Sequence, residues 1–169
     1  MMQTDNLTTP LSADAHVLRT DNVHVDRRFG VEHGGLHKPI HTSVQYGFER
    51  VEDLIGTFQG RYSGGYQYAR QGTPTTAALE AKISALEGGV GTVCFATGMG
   101  AIAATFFSLL RAGDHLVTSR YLFGNTNSLI STLEGFGVTV DKVDACSVQA
   151  VAAVIRPQTR MVFVETVAN

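Results

Sequence analysis

Apolar and polar positions follow two regimes along the 169 residues. Up to about Gly72 the pattern has no sustained period and is broken by glycines, among them Gly30, Gly34, Gly35, Gly60, Gly64 and Gly65. The stretch Ser43-Val-Gln-Tyr-Gly-Phe48 predicts extended chain, and Val51 to Phe58 one short helix. A segment of this length with so little core-forming pattern wraps over something else rather than folding alone. From Thr73 the chain becomes regular. Thr73 suits an N-cap and Pro74 the first helical position, Leu79, Ile83 and Leu86 mark one helical face, and Gly88-Gly89 stops the helix. Thr92-Val-Cys-Phe-Ala96 predicts a buried strand, followed by Gly98-Met-Gly100 and a helix from Ala101 to about Arg111. Gly113-Asp114 turns into a strand at His115–Ser119. A helix from about Thr126 to Phe136, a strand at Val138–Val143, a helix capped by Ser147, and a strand at Met161–Glu165 complete the pattern. Strands alternating with helices of this length predict βαβ units, an α/β fold whose parallel sheet is covered on both faces. Ligands of such sheets bind at the carboxyl ends of the strands, here the loops Thr97–Gly100, Arg120–Thr126 and Thr166–Asn169.

Composition narrows the class. The chain is 44% hydrophobic and 17% charged with a formal net charge of −2, which excludes disorder and disfavours nucleic acid or an anionic membrane as partner. The low charge also suggests surface covered by another subunit. Cys94 and Cys146 have neither metal-ligand spacing nor a disulfide framework, which suits a reducing compartment. Met1 to Asp21 is polar and lacks the pattern of a secretory signal, and no apolar run is long enough to span a membrane. A soluble, cytoplasmic protein is expected. The last strand is followed by neither a helix nor a polar tail, so the chain is expected to be truncated.

Among residues that could carry chemistry, Ala96-Thr97-Gly98-Met99-Gly100-Ala101 stands between a predicted strand and a helix. Glycines there let backbone N–H groups approach a phosphate at a helix N-terminus. Gly98, Gly100 and Ala103 also satisfy the dinucleotide pattern G-x-G-x-x-A. The acidic residue expected some twenty positions later is replaced by Ser119 and Arg120. Arg120 suits a 2′-phosphate, so an NADP-binding module stays open, as does tight strand–helix packing with no ligand. Tyr68 and Arg70 ahead of a helix offer a phenol and a fixed cation, a phosphate-binding pair or a solvated loop. Phe123 is either a flat ring over a flat ligand or ordinary core. His33, His37 and His41 recur every four residues, but Pro39 and the missing carboxylate or thiolate cluster argue for no metal site. Ser-His-Asp catalysis has no G-x-S-x-G elbow.

Taken jointly, the segments resemble the transsulfuration, or Cys/Met-metabolism, family of pyridoxal-phosphate (PLP) enzymes. The resemblance runs through His33-Gly-Gly35, Lys38-Pro-Ile40, Tyr68-Ala-Arg70-Gln-Gly-Thr-Pro74-Thr75, and Leu79-Glu80 to Leu86-Glu87-Gly88-Gly89. It continues in Thr97-Gly-Met-Gly-Ala-Ile102, Gly113-Asp114-His115, Phe123-Gly124-x-Thr126 and Glu165-Thr-Val-Ala-Asn169. Each motif is weak alone, and their order carries the recognition.

The resemblance implies a fold-type I PLP-dependent transferase large domain, truncated and preceded by an extended arm. Residues 1–72 would be the arm contacting the neighbouring subunit, and 73–169 the first half of the cofactor domain. It implies pyridoxal 5′-phosphate as cofactor and a homo-oligomer, a dimer with shared active sites assembling into a tetramer. Gly98 and Met99 would give N–H groups to the cofactor phosphate with the Thr97 hydroxyl beside them. Tyr68 and Arg70 would reach the phosphate of the neighbouring subunit, Phe123 would stack on the pyridine ring, and Asn169 would lie near its 3′ oxygen. The implied activity is γ-replacement on an activated homoserine ester with cysteine or sulfide, with γ-elimination as the alternative. Three departures stand out. Phe123 replaces a tyrosine common in the family, which puts the usual lyase chemistry in doubt and is more like some homoserine-ester sulfhydrylases. Gly72 or Thr73 replaces an asparagine, and Val167 a proline. The only lysines are Lys38, Lys82 and Lys142, none in the family's S-x-T-K setting, so the Schiff-base lysine is expected downstream of Asn169. Expressed alone, these residues are expected to show no lysine-dependent visible band with the cofactor. An absorbance titration checks this, and a band lost on substituting Lys38, Lys82 or Lys142 contradicts it.

Overall fold

The computed structural model describes residues 32–35, 37–62 and 65–167. Asn169 and residues 1–31 lie outside that range. The chain divides into two compact units, one up to Cys94 and one from Phe95 onward.

In the first unit, α1 (Val51–Phe58) carries Glu52 and Asp53 in its first turn, where carboxylates complement the positive end of the helix. Val51, Ile55 and Phe58 fall on one face at helical spacing, and all three are exposed. The extended reading of Ser43–Phe48 holds locally: Gln45 forms an antiparallel bridge with Tyr68, and the Ala69 N–H donates to Val44 O at 2.8 Å. α2 (Pro74–Glu87) starts and stops where its residues predict. The Thr73 hydroxyl accepts the Thr76 N–H at 3.1 Å, and the Thr73 N–H donates to the Thr76 hydroxyl at 2.9 Å, a reciprocal box. At the other end Gly88 takes the left-handed conformation, φ 63°, that glycine adopts without steric cost.

Thr92–Ala96 is not a strand. Its backbone is irregular, and Val93 and Phe95 are exposed. The Cys94 N–H donates to the Glu80 carboxylate of α2 at 2.9 Å, and the Thr92 hydroxyl bonds that of Ser84 at 2.7 Å. An apolar run favours burial, but a strand also needs a neighbour offering a ladder, and side chains of α2 take those positions instead.

The second unit holds α3 (Gly98–Leu109), β1 (His115–Ser119), α4 (Gly124–Gly135), β2 (Thr139–Val143), α5 (Val148–Val154) and β3 (Thr159–Phe163). The helices at 98 and 124 start earlier than expected, which brings Gly98 into the first turn of α3 and leaves Phe123 as the N-cap of α4. The three strands are parallel in the order β2-β1-β3. β1 pairs first with β2 on one edge, and the chain then returns past β1 to lay β3 on the other. Right-handed crossovers in opposite directions put α4 and α5 on opposite faces of the sheet. Leu116, paired with Val140 and Met161, joins Phe106, Leu110, Leu122, Ile130, Leu133 and Val138 in the core. Phe106 meets Phe163 edge to face at 5.0 Å between centroids.

At the opposite end from the predicted ligand loops, His115 opens β1 and is fully buried. Its Nε2 lies 3.1 Å from Asp141 Oδ2, and a carboxylate only accepts, so this nitrogen carries a proton. Its Nδ1 lies 2.8 Å from the Thr159 hydroxyl, which also accepts the Arg156 N–H at 2.8 Å. The start of β1 is thereby tied to the middle of β2 and the start of β3 through one ring. Among the described residues no helix is long and apolar enough to cross a membrane.

Phe106→Ala is expected to cost about 3–5 kcal/mol, the range for truncating a fully buried aromatic. Thr73→Ala is expected to cost about 1 kcal/mol, the worth of an N-cap. Urea midpoints of the two variants check the ordering.

Candidate functional site

The length of α3 sets the geometry of the second unit's carboxyl end. Its 12 residues rise about 18 Å at about 1.5 Å each, close to the roughly 17 Å of the five-residue strand β1 that follows. A tight turn at Gly113 (φ 91°) reverses the chain between them. The N-terminus of α3 therefore lies level with the carboxyl end of β1, the end from which α4 departs. Thr97, Gly98 and Met99 and the loop bearing Phe123 share that end of the sheet.

Thr97 is the N-cap of α3: its hydroxyl accepts the Gly100 N–H at 3.0 Å, and its carbonyl accepts the Ala101 N–H at 3.1 Å. The N–H groups of Gly98 and Met99 stand ahead of this first intrahelical bond and have no acceptor within the helix. A Cβ built on Gly98 meets nothing within 4 Å, so the side-chain position of Gly98 is open. A Cβ on Gly100 would come within 3.0 Å of the Thr97 hydroxyl, so this glycine keeps the cap in place. The arrangement can receive an anionic oxygen: two donors without an acceptor in the helix, at its positive end, beside an open glycine position.

Phe123 sits in the loop after β1 and is 43% exposed, while Leu122 beside it is buried. Its carbonyl accepts the Asn127 N–H at 3.1 Å, and the Leu122 carbonyl accepts Asn127 Nδ2 at 3.2 Å. The Phe123 N–H donates to Glu165 Oε2 at 2.9 Å, and the Thr126 hydroxyl donates to Glu165 Oε1 at 2.9 Å. Neither Thr126 nor Glu165 was assigned a role from the residues alone. The signal was a carboxylate closing an apolar strand at its carboxyl end.

In the first unit, Tyr68 is half-buried and Arg70 exposed, and the guanidinium lies over the Tyr68 ring, 4.8 Å from its centroid. Stacking holds the cation beside the phenol. Two residues earlier, Tyr66 packs on Tyr46 at 5.5 Å, and burial, with a smaller contribution from Tyr46, pushes its hydroxyl above the ordinary phenol range. The histidine row resolves into local structure: His41 Nε2 lies 3.1 Å from the Glu32 carboxylate, which also takes Lys38 at 2.8 Å. The Lys38 hydrogen bond is the main reason this carboxylate is held below its ordinary range. Lys142 donates to Asn127 Oδ1 at 3.3 Å. Asn169 lies outside the described residues.

The family model described as Cys/Met metabolism PLP-dependent enzyme matches residues 19–169. The chain belongs to this family. It is 44% identical over 137 residues to an L-methionine gamma-lyase of Pseudomonas deceptionensis, covering 80% of this chain and 34% of that protein. It is 37% identical over 139 residues to an O-succinylhomoserine sulfhydrylase of Pseudomonas aeruginosa, covering 82% of this chain and 34% of the relative. Among solved structures, metY of Campylobacter jejuni, which carries an N′-pyridoxyl-lysine-5′-monophosphate, matches with a TM-score of 0.79 at 27% identity. That match covers 90% of this chain and 37% of the other. The chain thus spans about a third of the length of the curated relatives it matches. Family membership supports the expected fold, a parallel sheet with helices belonging to a PLP-dependent enzyme domain, and makes pyridoxal 5′-phosphate the family's cofactor. It also displaces the NADP-binding alternative, whose pattern requires a strand at Thr92–Ala96 that does not form.

Three substitutions separate the roles of the α3 residues. Thr97→Val is expected to cost about 1 kcal/mol of stability through the lost cap, and Gly98→Ala to stay within about 0.5 kcal/mol. Gly100→Ala is expected to fall below Gly98→Ala, because its methyl group crowds the Thr97 hydroxyl. Thermal unfolding of the cofactor-free protein checks the order.

Proposed function

We propose that this chain supplies the cofactor-phosphate cradle and ring-facing loop of an enzyme that performs γ-replacement on an activated homoserine ester with cysteine or sulfide. The bound cofactor supplies an electron sink for breaking bonds next to the amino-bearing carbon. Gly98 and Met99 donate their N–H groups to its phosphate, and the Thr97 cap holds that turn of helix rigid. Phe123 would cover the pyridine ring, and Asn169, by the family resemblance alone, would serve the 3′ oxygen. Tyr68 and Arg70 hold the phosphate of a neighbouring subunit, which makes the working unit a dimer with shared sites, paired into a tetramer. Residues 1–72 then act as an arm, and the exposed stripe Val51, Ile55 and Phe58 is the kind of face such an arm lays on a partner. The Schiff-base lysine lies beyond Asn169.

Phe123 is the observation that carries the choice of reaction. Its side chain is part-exposed and carries no hydroxyl. A carboxylate leaves a homoserine ester without needing a proton, whereas a thiolate leaving methionine benefits from a phenol donor that Phe123 lacks. The 44% identity to a protein named L-methionine gamma-lyase favours γ-elimination as the second reading.

The full-length protein, given an O-acylhomoserine with sulfide and, separately, methionine, is expected to form homocysteine with kcat/KM at least about tenfold above its release of 2-oxobutanoate, a difference of ~1.4 kcal/mol in transition-state binding. Dominant 2-oxobutanoate release would establish the second reading. Gly98→Ala is expected to weaken cofactor binding about tenfold by placing a methyl group over the phosphate donors, as measured by fluorescence titration.

A further inference from the structure

We propose that Glu165 is a positioning residue that fixes where the Phe123 ring stands; its consequence for the cofactor rests on the reading of Phe123 given above. Helix α4 has no capping side chain of its own: Phe123 occupies the N-cap, and no acidic residue lies in the first turn. The carboxylate that serves this helix comes from the far side of a crossover, 42 residues along from Phe123 and two past the end of β3. It takes the Phe123 N–H on one oxygen and the hydroxyl of Thr126, only 1% exposed, on the other. One carboxylate thus satisfies an orphan backbone donor, a buried hydroxyl and the positive end of the helix together.

The effect on the ring follows from connectivity. Leu122 is buried on one side of Phe123, and Asn127 holds the carbonyls of both Leu122 and Phe123. Glu165 holds the remaining backbone group of Phe123, its N–H. With these groups tethered, the ring keeps only its own two side-chain torsions and is presented to solvent on a fixed base. Because β3 is laddered to β1, Glu165 also joins the end of the sheet to the loop leaving β1. Two sequence motifs that look separate, Phe123-Gly124-x-Thr126 and Glu165-Thr166, form one piece of structure.

The test uses the full-length protein and the variants Glu165→Ala, Glu165→Gln and Phe123→Leu. Hydrogen exchange of the Phe123 amide is followed without cofactor, and visible circular dichroism with it. Glu165→Ala is expected to speed exchange at Phe123 about tenfold or more while β1 amides keep their protection, the pattern of a local opening. It is also expected to change the cofactor band in the same sense as Phe123→Leu. Glu165→Gln keeps one acceptor oxygen and the volume, so it is expected to fall between Glu165→Ala and the parent, and it serves if the alanine variant does not fold. Unchanged exchange at Phe123, with a cofactor band altered only in Phe123→Leu, overturns the role of Glu165 and keeps that of Phe123. Faster exchange with an unaltered band in every variant overturns the positioning role through the failure of the Phe123 reading itself.

Discussion

Every side chain of β1, from His115 to Ser119, is buried. A strand buried along its whole length must have its backbone groups satisfied on both edges and apolar cover on both faces. β2 and β3 supply the two edges in parallel register. Connecting parallel strands on opposite sides of β1 requires crossovers running in opposite directions, and handedness then places one helix on each face. The same constraint accounts for Phe106 and Leu110 of the α3 segment and Leu133 of α4, which close over Leu116. It also accounts for His115: an imidazole in that position is tolerable only with both nitrogens paired, and Asp141 and Thr159 on the flanking strands do this.

With β1 fixed, the two ends of the sheet take on different work. At the amino ends the polar groups are turned inward on each other through His115. At the carboxyl ends lie the first two N–H groups of α3, without an acceptor in the helix, and the part-exposed Phe123, whose loop is held by the carboxylate of Glu165. Helices that start at the carboxyl edge bring their positive termini to one place, which suits an anionic cofactor group there. The chain belongs to a PLP-dependent family, and the proposed placement sets that cofactor's phosphate at this end.

Much of this was legible from local patterns. The α1 bounds, the Thr73 cap and the Gly88 stop coincide with expectation, since each depends on contacts within a few residues, and the β1 bounds coincide as well because both neighbours it needs are present. The strand expected at Thr92–Ala96 fails for the converse reason. Its residues favour burial, but pairing needs a neighbour, and Glu80 and Ser84 of α2 reach it first. The α3 segment shows a smaller shift: Gly98 joins the helix because the Thr97 hydroxyl caps it, an option that a count of glycines misses.

The sequence by itself determined the α/β class, the motifs in their order, and the residues Tyr68, Arg70, Thr97, Gly98, Met99 and Phe123 as candidates. These depend on residue type and near-neighbour spacing, which are written along the chain. Only the tertiary structure decided that Glu165 serves Phe123 and Thr126, and that His115 ties β1 to Asp141 of β2 and Thr159 of β3. Those contacts span between 26 and 44 residues. They come into being when the parallel ladder sets the register of β2 and β3 against β1, and no local pattern encodes a register.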